Sequence, residues 1–313
     1  MAPLGIARLV VLLALARPCE AATAPRADTV VVFTAASLAV PIRAALDSFA
    51  RQTGAVVQQE NGASLELARR ITELGRVPDV IALADEEVFP RLLVPRAASW
   101  YVRFARNRMV VAFTGHSTGA AQLTSDSWHR VLSRSDVRVG HSDPRLAPVG
   151  YRTLLLYRLA EEHYHLPGLA SRLEARTPPE LVRANASELV ALLQAGELDY
   201  IVDYESLARA NHLRFVTLPP AIDLGDPARA AAYARATVRV ARRTDTTTYA
   251  GAPIVYGASV PRDAPHPAAG QRFLRYLLSP AGQAVLRAHA VDALRAPELV
   301  GDSVPPALRA TRR

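Results

Sequence analysis

Two stretches decide the fold: FTAASLAVPI at residues 33–42 and ENGASLELARRI at residues 60–71. Each closes a β-like run, passes through small residues, places a serine and then takes up helical spacing. Ser37 and Ser64 are therefore expected at helix N-termini. There the backbone N–H groups lack partners within the helix and the dipole is positive. Such an end binds anions without a charged side chain. Two of them about 30 residues apart suggest a pocket for a small oxyanion. Ordinary N-capping by both serines is the competing reading.

Working outward, TVVVFT (29–34) reads as a buried strand, followed by helical spacing of Val40, Ile42, Leu46 and Phe49 over 39–53. A second strand is expected at 55–59, a helix at 64–74, a third strand at 78–84 and a short helix at 86–94. This alternation argues an α/β fold with a mostly parallel sheet flanked by helices. Ligands of such sheets bind at the carboxyl ends of the strands, where both serine turns fall.

An apolar strand at 108–114 and a polar stretch at 115–127 precede a restart of the pattern. The restart has strands at 137–140 and 200–203 and helices at 151–163 and 187–195. After a Pro- and Ala-rich stretch at 219–236 come strands at 237–241 and 253–261. Amphipathic helices at 267–278 and 280–289 are expected to pack back on the first lobe, and the tail after Pro297 to be irregular. The division is thus lobe 1 over 22–110, lobe 2 over 111–255 and a return to lobe 1 over 256–313. Crossings between the lobes imply a hinged clamshell with its ligand in the cleft.

The 313 residues suffice for two lobes, and half of them are hydrophobic. The first 21 residues have the features of a secretory signal: Arg8, an apolar run from Leu9 to Leu15, and Cys19-Glu20-Ala21 as a cleavage site. Such a leader predicts an exported mature protein, periplasmic in a diderm host. Cleavage after Ala21 would remove the single cysteine, leaving no disulfide or thiol chemistry. Arg17 and Pro18 stand where a lipobox before Cys19 wants small residues. All 37 basic residues are arginines, and the formal charge is +8. They are scattered and aromatics are only 6 %, so no nucleic-acid platform is visible.

Six stretches together resemble one family: the periplasmic tungstate/molybdate-binding proteins of ABC importers, with the type II solute-binding fold. They are FTAASL (33–38), ENGASLELARRITELGRVPDVIALAD (60–85), WYVRFARNRMVVAFT (100–114), VGHSDPRLAPVGYRTLL (139–155), LVALLQAGELDYIVDYESLA (189–208) and PIVYGASVPRDA (253–264). The likeness runs from about residue 29 to residue 290. It implies a two-lobed fold hinged by crossover strands, and a monomer that hands molybdate or tungstate to a membrane permease. The implied ligand-binding residues are Ala36, Ser37, Ser64, Ala147, Pro148, Val149, Ala186 and Tyr204. Archaeal members similar to this chain carry an aspartate at the position of Ala147 and a glutamate at that of Ala186. Alanine has no ligand atom. The resemblance therefore implies a four-coordinate oxyanion held by hydrogen bonds, with no side-chain metal ligand and no cofactor.

Molybdate and tungstate are proton-free dianions at neutral pH, so their oxygens only accept hydrogen bonds. Serine, tyrosine and backbone N–H groups donate them. Hydrogenphosphate would leave its O–H unpaired in a donor-only pocket. Sulfate must be excluded by size. Adjacent strand residues point to opposite faces, so Asp203 is expected to face away from a ligand at Tyr204. Arg152 is read as part of a solvated helix face, and Asp85-Glu86-Glu87 as an acidic helix start. His163 and His165 lack companions for a metal site. Trp100 and Trp128 are read as packing residues near the lobe junction. Two other functions stay open: a binding protein for sulfate, phosphate or a small carboxylate, and a secreted serine hydrolase. The second lacks a GxSxG elbow.

Overall fold

A computed structural model describes residues 29–242 and 245–309. The signal features at 1–21 lie outside the described residues. Lobe 1 opens with β1 (Thr29–Ala35), β2 (Val56–Gly62), β3 (Val80–Leu83) and β4 (Trp100–Asn107). Lobe 2 contains β5 (Met109–Phe113), β6 (Val139–Ser142), β7 (Val182–Arg183), β8 (Tyr200–Tyr204) and β9 (Arg214–Thr217). A hairpin of β10 (Thr237–Ala241) and β11 (Thr246–Ala250) packs on the second lobe. The chain then returns to the first sheet as β12 (Ile254–Ser259) and β13 (Asp292–Gly301).

The first sheet has the order β13-β4-β12-β3-β1-β2, the second β7-β6-β8-β5-β9. Both are mixed, with less parallel pairing than the alternation of elements suggests. Parallel pairing joins β1 to β2 and β3, and β6 to β7 and β8. At the crossings β12 runs against both β3 and β4, and β5 runs against β8, so these pairs are antiparallel. The crossings run through Arg108, between β4 and β5, and through 251–253 before β12. The six parallel strands carry the turns that matter, and all six end toward the cleft between the sheets.

Helix Ala39–Thr53 buries Ile42, Ala45, Leu46 and Phe49 on one stripe, while Val40 stays exposed. Gly54 ends it at φ 73°, a left-handed conformation that glycine adopts without penalty. Phe49 meets Phe273 of helix Pro267–Leu278 edge-to-face at 5.6 Å. This contact fastens the C-terminal helices to the first lobe, as their amphipathic pattern predicts. The segment at 86–94 forms only a five-residue π-type turn, Phe89–Leu93.

The tail differs from expectation. Residues Asp292–Gly301 form an edge strand on β4, and Pro306–Arg309 a short helix. Pro297 sits in the register break between Ala293 and Glu298. An edge strand tolerates a proline there because its missing N–H faces no neighbour. The mixture of polar residues and proline hid the strand's period. Trp128 also differs: it is buried within the second lobe against Tyr157, with its indole N–H donating to Tyr164. Trp100 is buried at the start of β4.

Candidate functional site

All eight residues singled out from the sequence line one cavity between the lobes. The remaining lining residues are Ala35, Gly62, Ala63, Ala84 and Asn185. The cavity arises where strands stop. β1 delivers Ala35, Ala36 and Ser37; β2 delivers Gly62, Ala63 and Ser64; β3 delivers Ala84. From the second lobe, β6 leads to Ala147, Pro148 and Val149, β7 to Asn185 and Ala186, and β8 to Tyr204.

Four helical N-termini converge here: Ala36–Leu38 (a 3-10 turn), Ser64–Thr72, Pro148–Tyr164 and Ala186–Gln194. Neither serine is an N-cap by side chain. The cap residues Ala35 and Ala63 offer no side-chain oxygen to the first turn. Pro148 opens its helix at N1, where a missing N–H costs nothing. Asn185 caps the next helix, accepting from the N–H groups of Ser187 and Glu188 and donating to the Glu188 carboxylate. That Asn-x-x-Glu spacing is a capping box legible in NASE. Gly150 is required by close approach, because a Cβ there would lie 2.3 Å from the Ser142 carbonyl oxygen. Only glycine lets this helix start so tightly against the end of β6.

The cavity is rich in donors. Among the described residues, the N–H groups of Ala36, Ser37, Ser64, Val149 and Ala186 donate no hydrogen bond outside the regular strand and helix ladders, and as first-turn groups they have no carbonyl four residues back within their own helices. Ser37 Oγ lies beside the Tyr256 hydroxyl without a well-formed hydrogen bond. Ser64 Oγ accepts from the Ala84 N–H at 3.1 Å, which leaves its own proton to give. Tyr204 Oη accepts from Arg152 Nη1 at 2.7 Å, with the same consequence. Burial holds the Tyr204 phenol well above its ordinary pKa, so it stays a donor. Among the described residues, no carboxylate and no histidine lines the cavity. It opens about 20 Å³ to the centres of entering atoms. That is room for one or two waters and far below the roughly 300–1,000 Å³ of sites for larger ligands.

Behind the cavity the structure corrects two expectations. Arg152 is not on a solvated face; it is 3 % exposed and pairs with Asp85 at 3.0 Å. Asp85 is not a helix-start acid in water but the buried partner of that guanidinium, and it also accepts from the Tyr151 hydroxyl. Burial alone would pull the Arg152 pKa down, and Asp85 more than offsets this. No local signal joins these two residues, which come from opposite lobes.

Asp203 does not line the cavity, in line with strand alternation. It is fully buried; Oδ1 accepts from the Tyr204 N–H and Oδ2 has no partner. Desolvation pushes its pKa up to about 7. The folded state then holds this proton more tightly than the unfolded chain, whose Asp pKa is about 3.9. Stability from this group is complete below that value and is lost as pH rises through about 7. Asp203→Asn keeps the acceptor for Tyr204 and removes the titration. Its stability relative to the parent is expected to rise by about 2 kcal/mol between about pH 5 and pH 8, read from guanidinium unfolding. A constant difference across that range would contradict the buried carboxyl.

His163 and His165 stay apart from the cavity, and among the described residues no three His, Cys, Asp or Glu side chains form a metal-like cluster. Among them, too, no helix is long and apolar enough to cross a membrane.

Comparison with known proteins bears on this geometry. The profile of bacterial extracellular solute-binding proteins matches residues 30–290. An uncharacterized solute-binding protein of Petrotoga mobilis is 37 % identical over 272 residues, 86 % of this chain and 85 % of its own length. The molybdate/tungstate-binding protein WtpA of Pyrococcus abyssi is 34 % identical over 310 residues, 90 % of each chain. Two solved structures share the fold. One is the periplasmic molybdate-binding protein of Azotobacter vinelandii, with TM-score 0.60, 18 % identity, and coverage of 84 % of this chain and 98 % of that one. The other is the sulfate-binding protein SubI of Mycobacterium tuberculosis, with TM-score 0.61, 15 % identity, and 90 % of each chain.

Proposed function

Because this chain belongs to the bacterial extracellular solute-binding protein family, we propose that it captures molybdate or tungstate between its lobes and delivers the ion to an ABC importer. The observation that carries the ligand assignment is the cavity itself: small, lined by hydroxyls with a proton to give and by first-turn N–H groups, with no carboxylate among its described lining residues. A proton-free tetrahedral dianion satisfies every such donor and asks for no acceptor. Relatives named for molybdate and tungstate support the choice. Ala147 and Ala186 present no ligand atom, which favours four-coordinate binding through hydrogen bonds. Hydrogen bonds to a charged group contribute about 1.5–3 kcal/mol each. Six or seven of them, after ordering costs, suffice for the roughly −8 kcal/mol of a micromolar complex and more.

The family is one of solute carriers, and the cavity gives neither serine a histidine as base. This speaks against a hydrolase. Sulfate is the second reading, supported by the shared fold of a sulfate-binding protein. Calorimetry with tungstate, molybdate, sulfate and phosphate separates the readings. Tungstate and molybdate are expected to bind below micromolar, and phosphate at least about tenfold more weakly because its O–H is left unpaired. Sulfate binding as tight as tungstate would transfer the assignment to sulfate.

A further inference from the structure

We infer that Asp85 and Arg152 form a latch that ties closure of the lobes to assembly of the donor set around the cavity. The inference rests on the anion-binding reading for the purpose of those donors; the latch itself is a property of the protein alone.

Asp85 follows β3 of the first lobe, whereas Arg152 lies in helix Pro148–Tyr164 of the second. Their contact exists only while the lobes are together. Both side chains are 3 % exposed; Asp85 is ion-paired with Arg152 Nη2 at 3.0 Å and accepts from the Tyr151 hydroxyl and the Glu87 N–H. Two of these three partners belong to the other lobe. Arg152 Nη1 reaches across the cleft to the Ala84 carbonyl oxygen at 2.8 Å and, within its own lobe, donates to Tyr204 Oη at 2.7 Å.

These bonds lead directly to the cavity wall. By donating to Tyr204 Oη, Arg152 forces the phenolic proton elsewhere, and the cavity offers it no protein acceptor. Arg152 therefore acts as a positioning residue through Tyr204. Ala84, held by Arg152 at its carbonyl, gives its N–H to Ser64 Oγ and so fixes a second donor. When the lobes part, Asp85 loses Arg152 and Tyr151, and Arg152 loses Asp85 and Ala84. Both ions regain water.

A buried ion pair adds little net free energy against its desolvation, but a buried charge deprived of its partner is strongly disfavoured. The pair thus admits one closed arrangement, the one in which the donors are aimed. Flanking contacts follow the same seam: the Leu65 N–H donates to the Leu146 carbonyl at 3.1 Å and Arg69 Nη1 to the Arg145 carbonyl at 3.2 Å.

The test is interlobe fluorescence transfer without anion. Dyes are placed at Leu74→Cys and Leu166→Cys, both exposed and in opposite lobes, in a Cys19→Ser background. Asp85→Asn leaves Arg152 without its counterion in the closed form. It is expected to lower the closed-to-open ratio at least about tenfold. Tyr151→Phe keeps the ring stacked on Tyr249 at 3.9 Å, so it folds, and removes one cross-lobe donor. It is expected to lower the ratio by about two- to fivefold, the usual worth of one hydrogen bond. A purely structural role would shift the melting temperature and not this ratio. Ligand-free wild type with no closed population, or one that both variants leave unchanged, overturns the latch. Tungstate is then added as a separate arm. Its failure to close the wild type would count against the anion reading and leave the ligand-free comparison standing.

Discussion

The double variant Ser37→Ala, Ser64→Ala is expected to bind tungstate about 3–5 kcal/mol more weakly than the parent, a loss of two to three orders of magnitude or more in affinity. Each serine offers a hydroxyl with a proton to spare, one without a well-formed bond and one already accepting from Ala84. A hydrogen bond to a charged acceptor contributes about 1.5–3 kcal/mol. Both act on one ion, so their losses need not add in full. The double change also orphans the buried Ala84 N–H, so a loss of stability of about 1–3 kcal/mol is expected alongside, carried by Ser64→Ala and not by Ser37→Ala. Calorimetry of the double variant beside each single one checks both statements. Affinity unchanged within threefold would remove the serines from the site.

Gly150→Ala is expected to destabilise the protein by about 3 kcal/mol, at the upper end of the cost of overpacking. A Cβ at this position meets three backbone atoms: Ser142 O at 2.3 Å, Pro144 N at 2.6 Å and Asp143 C at 2.7 Å. Backbone cannot rotate aside as a side chain can. All of these atoms belong to the second lobe, so opening the cleft brings no relief. The start of helix Pro148–Tyr164 must move, and with it the Val149 N–H. Tungstate affinity should therefore fall together with stability. Gly115→Ala is the control, because its Cβ would meet only the Arg214 guanidinium at 4.0 Å. A guanidinium unfolding midpoint for Gly150→Ala equal to that of the control would refute the close approach.

Much of the site was legible because it is built from local features. Strand, small residues and helix start recur at Ser37 and Ser64, and each places backbone donors by rules that act over a few residues; the turn at Val149 comes from the family resemblance. Asn185 escapes the sequence reading although NASE carries the capping signal, because a capping residue points to a helix start and not to a neighbouring ligand. The edge strand Asp292–Gly301 was missed because Pro297 and a register break interrupt its alternation. Arg152 was misplaced for a different reason. A helix pattern shows which residues are polar, not whether a polar face meets water or another lobe. Asp85 and Arg152 are distant in sequence, and nothing near either one announces the other.

The alternation of strands and helices that opens each lobe, the helix starts at Ser37 and Ser64 and the absence of acid at positions 147 and 186 follow from the sequence alone; the strands at 100–107, 182–183, 214–217, 246–250 and 292–301 do not. The former are consequences of side-chain periodicity and backbone sterics, which are short-ranged. Tertiary structure decided that four helix mouths share one cavity, that a guanidinium stands behind it, and that its counterion belongs to the opposite lobe. Burial makes that pairing obligatory: in a low-dielectric interior a charge must find its partner wherever the chain has placed it.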